Sequence, residues 1–180
     1  MCSRSLPAVI IGGVIGVVSL SAFAVDTGTV TFSGKIIPDT CKVNVNGVQT
    51  NGTVTFNDLS QTAFSGDDSV GDTQPLTITL SECDESLGNL NIKFEGQRVA
   101  GKSDEVLQTT GGAANLGIRL YQEGGVVPVK FDGSEPDDAT NKANGTSVAF
   151  SYQAKVVQVG TTQPTSGSYT AQATYTLLYR

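Results

Sequence analysis

The chain has 180 residues, with 17 Asp and Glu against 11 Lys and Arg, and it contains no histidine. Its net charge of −6 at pH 7 argues against nucleic acid and against anionic lipid as partners, because both carry negative charge. Without histidine, neither a Ser-His nor a Cys-His catalytic pair can form. The sequence also has no Cys-x-x-Cys. We therefore assign no catalytic residue, no metal ligand and no cofactor, and we do not expect an enzyme.

Residues 1–24 are predicted to be a signal peptide. Arg4 supplies an early positive charge, an uncharged apolar run extends from Leu6 to Leu20, and Ala22-Phe23-Ala24 has the form of a signal-peptidase site. The alternative is an uncleaved membrane anchor, but the apolar run is short for a membrane span. We therefore expect cleavage after Ala24, export, and no stable membrane insertion.

Residues 25–34 are predicted to form an N-terminal arm ahead of a domain that occupies residues 35–180. Small and apolar residues alternate there with Thr, Ser and Lys, as in a strand with one apolar face. The apolar parity consists of Gly28, Val30, Phe32, Gly34 and Ile36. One interpretation is an ordinary first strand of the domain. The other is a strand that completes a different subunit, in which the part before Gly34 reaches outward.

Alternation and glycine-rich turns dominate the rest of the chain, and helical periodicity is weak. The further predicted strands cover residues 43–45, 53–59, 76–81, 90–94, 116–120, 127–131, 147–159 and 168–179. The strands on either side of Gly124-Gly125 are expected to form a hairpin. So many short strands in one domain of this length predict an all-β sandwich.

The last predicted strand, residues 168–179, is the most distinctive. Its apolar parity consists of Tyr169, Ala171, Ala173, Tyr175, Leu177 and Tyr179, and the other parity is mostly Thr and Gln. A strand of this length normally has a neighbour on each side, and no later segment is present here to supply one. We expect the missing neighbour to come from earlier in the chain or from another molecule.

Two cysteines, Cys41 and Cys83, remain after removal of the signal peptide. In an exported chain they indicate one disulfide, and the alternative is a pair of buried thiols. The acidic pairs Asp67-Asp68 and Asp137-Asp138 fall in predicted loops and lack the spacing of an EF-hand. We interpret them as solvated surface charge.

The N-terminal arm, the cysteine pair and the terminal strand together resemble the pilins of the chaperone–usher pathway, the type 1-like fimbrial subunits of Gram-negative bacteria. Members of that family carry a glycine fourteen residues from the end, here Gly167, and a penultimate tyrosine, here Tyr179. Cys41, after Ile-Pro-Asp-Thr, and Cys83, after Leu-Thr-Ile-Thr-Leu-Ser-Glu, stand where the family's disulfide does.

The resemblance implies an incomplete immunoglobulin-like sandwich that lacks its C-terminal strand and is completed by donor-strand exchange. In that family a periplasmic chaperone lends a strand to the groove beside the C-terminal strand, and at the outer-membrane usher the arm of the next subunit replaces it. By resemblance, the apolar parity of the arm donates, and Gly167 with the apolar parity of the terminal strand accepts.

The expected function is that of a structural subunit of a surface fimbria that supports adhesion, a shaft subunit rather than an adaptor. Its expected partners are a pilus chaperone, an usher and other pilin subunits, and it would pass through the periplasm to the cell surface. The alternative is a self-complemented, monomeric periplasmic binding module whose own arm closes the sheet.

Overall fold

The computed structural model describes residues 31, 33–34 and 40–179, without the side chain of residue 138. This part of the chain has eleven β-strands and two short 3-10 helices, Gln61–Ala63 and Asp138–Thr140. The strands are β1 (Lys42–Val45), β2 (Val48–Gln49), β3 (Val70–Ser81), β4 (Asn89–Gly96), β5 (Leu107–Gln108), β6 (Thr110–Gly111), β7 (Leu116–Gln122), β8 (Lys142–Ala143), β9 (Ser147–Gln158), β10 (Tyr169–Thr170) and β11 (Ala173–Tyr179).

Two antiparallel sheets pack against each other. The larger has the strand order β2-β1-β3-β9-β7-β5, the smaller has the order β11-β4-β8, and β10 pairs separately with β6. Phe94 of β4 meets Tyr152 of β9 edge to face, with ring centroids 5.2 Å apart, which joins the two sheets through the core. The predicted all-β sandwich is confirmed.

Alternation along the central strands places their apolar side chains between the sheets. In β9 the buried residues fall at every second position from Val148 to Val156, and in β7 the same period buries Leu116, Ile118 and Leu120. Burying each large aliphatic or aromatic side chain contributes about 1.5–3 kcal/mol. The period-2 pattern therefore predicts both the existence and the inward face of these strands correctly.

The predicted strand at residues 127–131 is wrong, although the hairpin contact exists. Pro128 forms a single bridge with Tyr121, and Val129 N–H donates to Leu120 O at 2.8 Å. Proline has no N–H to extend such a ladder. Two residues later Phe131 N–H donates instead to Asp104 O at 2.8 Å, so the segment leaves β7 before a strand can form.

The predicted terminal strand is divided between two partners. β10 pairs with β6, whereas β11 pairs with β4 in a register from Ala173 opposite Gly96 to Tyr179 opposite Leu90. Ala171 and Gln172 lie between the two pairings and belong to neither strand. The short strand β6, which the alternation pattern did not reveal, is what holds the beginning of this segment.

Gly167 sits where the terminal segment meets the loop that follows β6. Its φ of +146° is favourable only for glycine, and a Cβ there would lie 2.6 Å from the carbonyl carbon of Gly112. Both Gly112 N–H and Ala113 N–H donate to Ser168 O, at 2.8 and 3.1 Å. The glycine is therefore required by a close contact of one backbone with another.

A disulfide joins Cys41 to Cys83, 42 residues apart in sequence. The predicted pairing is confirmed. Because Cys41 immediately precedes β1 and Cys83 follows β3, the bond reinforces the antiparallel pair in which Val43 lies opposite Leu80.

We expect Gly167→Ala to lower the free energy of unfolding by about 1–3 kcal/mol, the cost of holding a non-glycine residue in such a conformation. Urea denaturation followed by circular dichroism measures the change. The control is Gly145→Ala, whose added Cβ has no atom within 4 Å. Equal midpoints for the two variants would contradict the prediction.

Replacing both Cys41 and Cys83 with serine should lower the free energy of unfolding by about 2–5 kcal/mol, because the unfolded chain regains the entropy of an open loop. The same denaturation experiment measures it. Reductant should destabilise the wild-type protein and leave the double variant unchanged; a wild-type midpoint insensitive to reductant would show that the disulfide is dispensable.

Candidate functional site: a groove between two extended segments

A groove of about 1340 Å³ runs between two extended segments of the domain. We call residues 50–59 its first wall and residues 164–175 its second wall. Its floor includes core side chains of both sheets, each at most 9% exposed: Ile78, Phe94, Leu107, Ile118, Leu120 and Phe131. The volume exceeds the roughly 300–1,000 Å³ of ordinary small-molecule pockets. The groove therefore suits an occupant larger than a metabolite.

The first wall is extended but belongs to no strand, so the prediction of a strand at 53–59 is wrong. Val54, Phe56 and Leu59 are half-buried and their neighbours are exposed, as expected of a strand with one face on a core. Among the described residues, however, no backbone–backbone hydrogen bond involves residues 51–59. The local pattern is that of a strand, but the described residues provide it with no backbone ladder partner.

Side chains hold the first wall in place. Asn46 Nδ2 donates to Thr53 O at 3.2 Å, and the backbone N–H of Asn57 donates to Asp72 Oδ2 at 2.9 Å. Hydrogen bonds from Gln74 and then from Asn57 lower the pKa of the Asp72 carboxyl, so it remains an ionised acceptor at neutral pH. These hydrogen bonds anchor the first wall to β3 and to the turn that follows β1.

The second wall contains most of the terminal-strand residues that the sequence singled out. Tyr169, Ala171 and Tyr175 line the groove and are half-buried, and Gly167 lies at the start of this stretch. Ala173 also lines the groove but is exposed. Leu177, half-buried, and Tyr179, 37% exposed, continue β11 beyond the lining residues. β11 is an edge strand, since its one partner among the described residues is β4.

Three contacts cross the groove between its walls. Tyr175 Oη donates to Thr50 O at 2.6 Å, the rings of Phe56 and Tyr169 lie 6.4 Å apart, and beyond the first wall Gln61 Nε2 donates to Pro164 O at 2.7 Å. From the first contact to the second, one segment moves forward by six residues, from Thr50 to Phe56, and the other moves back by six, from Tyr175 to Tyr169. The next step is five residues on each side. The walls therefore run antiparallel without a shift in register.

Burial raises the pKa of the Tyr175 phenol, and burial together with the charge of Asp72 raises that of Tyr169. Both hydroxyls therefore stay protonated at neutral pH. Tyr175 can act as the donor in its contact with Thr50 under all physiological conditions.

The opposite edge of the smaller sheet is closed. β8 pairs with the start of β4, and at its end Gly96 N–H donates to Phe131 O at 3.0 Å. Between these pairings lies Asn91, which is 2% exposed. Its Oδ1 accepts the backbone N–H of Ile92 at 2.8 Å, and its Nδ2 donates to Thr140 Oγ1 at 2.9 Å. This edge offers no continuous row of backbone groups to a further strand.

Charged residues form structural pairs rather than a metal site. Lys102 Nζ contacts Asp67 at 2.5 Å, and Arg119 Nη2 contacts Asp68 at 2.9 Å, so this acidic pair is engaged by cations of the same chain. Among the described side chains, no group of acidic or cysteine residues is arranged to hold a metal ion. No helix of the described residues has the length and apolarity to cross a bilayer.

Most of the donor residues predicted from the sequence are not among the residues that the structure describes. Gly28, Val30, Phe32 and Ile36 lie outside the described residues, as do residues 1–24. Gly34 is described and exposed. The sequence reasoning missed the first wall as part of the site. The alternation of Val54 and Phe56 could have identified this wall, but it was interpreted as an ordinary strand.

Comparison with known proteins assigns the family. The family model described as fimbrial protein matches residues 30–180. The type-1 fimbrial protein C chain of Escherichia coli is 30% identical over 170 residues, covering 91% of each chain. A major fimbrial subunit of Haemophilus influenzae is 29% identical over 157 residues, covering 79% of this chain and 72% of its own.

Solved structures agree with the sequence relatives. The P pilus rod subunit PapA matches with a TM-score of 0.65 at 26% identity, covering 79% of this chain and all of that one. A subunit of a chaperone–usher pilus matches with a TM-score of 0.65 at 27% identity, covering 86% of this chain and 96% of that one. Since these relatives are structural subunits of surface pili, the chain belongs to the fimbrial protein family of chaperone–usher pilus subunits, and it is a structural pilus subunit and not an enzyme.

Proposed function

We propose that this chain is a shaft subunit that polymerises by donor-strand exchange, in which the N-terminal arm of one subunit, residues 25–34, occupies the groove of another. The observation that carries the proposal is the groove itself: a large cavity with an apolar floor, flanked by an edge strand and by a segment that makes no backbone–backbone hydrogen bond with the described residues. One added strand would fill the cavity and pair with both walls.

The dimensions of the groove suit an extended strand. From Thr50 to Gln61 the first wall and its continuation advance by eleven residues, about 36 Å at roughly 3.3 Å per residue. The apolar parity of the arm, Gly28 to Ile36, would span about 26 Å on the same basis. Because alternate side chains of a strand point to the same face, this parity would face the floor while Thr and Ser faced solvent.

The interaction would be strong. Burial of Val30, Phe32 and Ile36 would contribute about 1.5–3 kcal/mol for each side chain. Each backbone hydrogen bond would add about 0.5–1.5 kcal/mol net, and the unpaired backbone of the first wall has room for several. Ordering of the arm opposes part of this gain.

Two comparisons favour a shaft subunit over an adaptor. The rod subunit PapA matches at 26% identity with a TM-score of 0.65, and curated relatives include major fimbrial subunits. A chaperone–usher pilus structure among the neighbours supports a periplasmic chaperone and an outer-membrane usher as partners. An unfilled apolar groove is an aggregation hazard, which is a physical reason for a chaperone during passage through the periplasm.

The donor assignment predicts opposite results for two adjacent residues. Phe32→Asp should abolish fibres, because a carboxylate would have to be buried against the floor. Thr31→Asp is the matched control, because the same charge on the other parity would face solvent. Cells that express the full chain with chaperone and usher are assayed for fibres released by heating and for subunit in the periplasm.

Fibre yield should fall at least tenfold for Phe32→Asp at an unchanged periplasmic level, and Thr31→Asp should retain fibres. Wild-type fibre yield with Phe32→Asp would contradict the donor assignment. Size-exclusion chromatography of the mature wild-type protein tests the alternative: a stable monomer without chaperone would favour the self-complemented module.

A further inference from the structure

The contact between Tyr175 and Thr50 is hard to reconcile with an occupied groove. An inserted strand would hold the two walls two strand spacings apart, about 9.6 Å. A side chain on the inward face of a strand stands roughly perpendicular to the sheet. The hydroxyl of such a tyrosine would point away from a backbone carbonyl that lies in the sheet plane two strands away.

The observed separation of Tyr175 Oη and Thr50 O is nevertheless 2.6 Å. Either the tyrosine lies across the gap or the walls have moved together, and both arrangements occupy space that a strand backbone needs. The contact also engages the carbonyl of Thr50, at the start of the first wall.

The low exposed fractions of the floor side chains also favour a closed groove. Ile78, Leu120 and Phe131 line it, yet their exposed fractions are 1%, 4% and 2%. These floor side chains therefore have almost no solvent-exposed surface. The contact of Phe56 with Tyr169 and the bond from Gln61 to Pro164 join the two segments farther along the groove.

We propose that the hydrogen bond from Tyr175 Oη to Thr50 O is a latch that keeps the empty groove closed and must break before a donor strand can seat. This inference rests on the proposed function, because the donor arm is the strand that opens the latch. Tyr175 is thus a positioning residue: it slows entry to the groove, protects the floor from water and from non-specific partners, and makes no such bond in the filled state.

Tyr175→Phe isolates the hydroxyl, since the ring that packs in the groove is retained. The control is Tyr121→Phe, which removes a hydroxyl from β7 at a position outside the groove lining. The probe is a fluorescent peptide of residues 25–36, added to the refolded mature full-length chain at low concentration and followed by anisotropy.

We expect the association rate to rise about two- to tenfold for Tyr175→Phe, the factor that corresponds to one lost hydrogen bond in the free state. The dissociation rate should stay unchanged, because the bond is absent from the complex. General loosening of the groove would instead raise the dissociation rate, and that result would overturn the latch. Equal association rates for wild type, Tyr175→Phe and Tyr121→Phe would overturn it too.

Hydrogen exchange without peptide provides a second, independent test. The Asn57 amide, which donates to Asp72 Oδ2, should exchange faster in Tyr175→Phe than in wild type or Tyr121→Phe, and equal exchange would overturn the latch. If the peptide bound none of the three proteins, donor-strand exchange would be contradicted. The hydrogen-exchange rates would still decide whether the Tyr175 hydroxyl holds the two walls together.

Discussion

An unfilled core is the constraint on which the rest of this structure depends. Protein interiors are close-packed, and voids much larger than a water molecule are rare in them. Here a cavity of about 1340 Å³ lies against the core side chains of both sheets. The first wall of that cavity also lacks backbone partners among the described residues. The cavity and the first wall without described backbone partners lie in the same place. A single added strand of alternating polarity would therefore fill the one and pair with the other.

Other parts of the domain hold each wall of the groove in place, and the two walls form no β-ladder with each other. Asn46 links the first wall to β3, because its Nδ2 donates to Thr53 O and its Oδ1 accepts the Thr77 N–H at 2.8 Å. The disulfide reinforces β1 beside β3. On the other side, the backbone contact of Gly167 with Gly112 and the pairing of β11 with β4 position the second wall. Contacts with the rest of the domain therefore fix the position of both walls.

The two edges of the smaller sheet differ in a way that bears on assembly. The outer edge of β4 is covered by β8 and by the segment around Phe131, and Asn91 satisfies the backbone between them. The edge formed by β11 borders the groove. Exposed sheet edges invite unwanted pairing, and proteins suppress it by covering them. Of the two edges of the smaller sheet in the described part of the chain, the uncovered one is the edge that the proposed donor strand would fill.

Alternation in the sequence predicted β7, β9 and the second half of β3, residues 76–81, with their inward faces, since period-2 patterning follows directly from strand geometry. It also indicated the amphipathic terminal segment. The cysteine count and the export signal together indicated the pairing of Cys41 with Cys83. Alternation reports which side of a strand faces apolar surroundings, but not which neighbour provides its hydrogen bonds. For that reason the predicted strands at 53–59 and 127–131 are wrong, although Val54, Phe56, Val129 and Phe131 are at least half-buried, as the alternation indicates. Thr50 and Tyr175 are 125 residues apart. Only the tertiary structure could decide that they face each other across a groove, because such pairing depends on the closure of the whole sandwich.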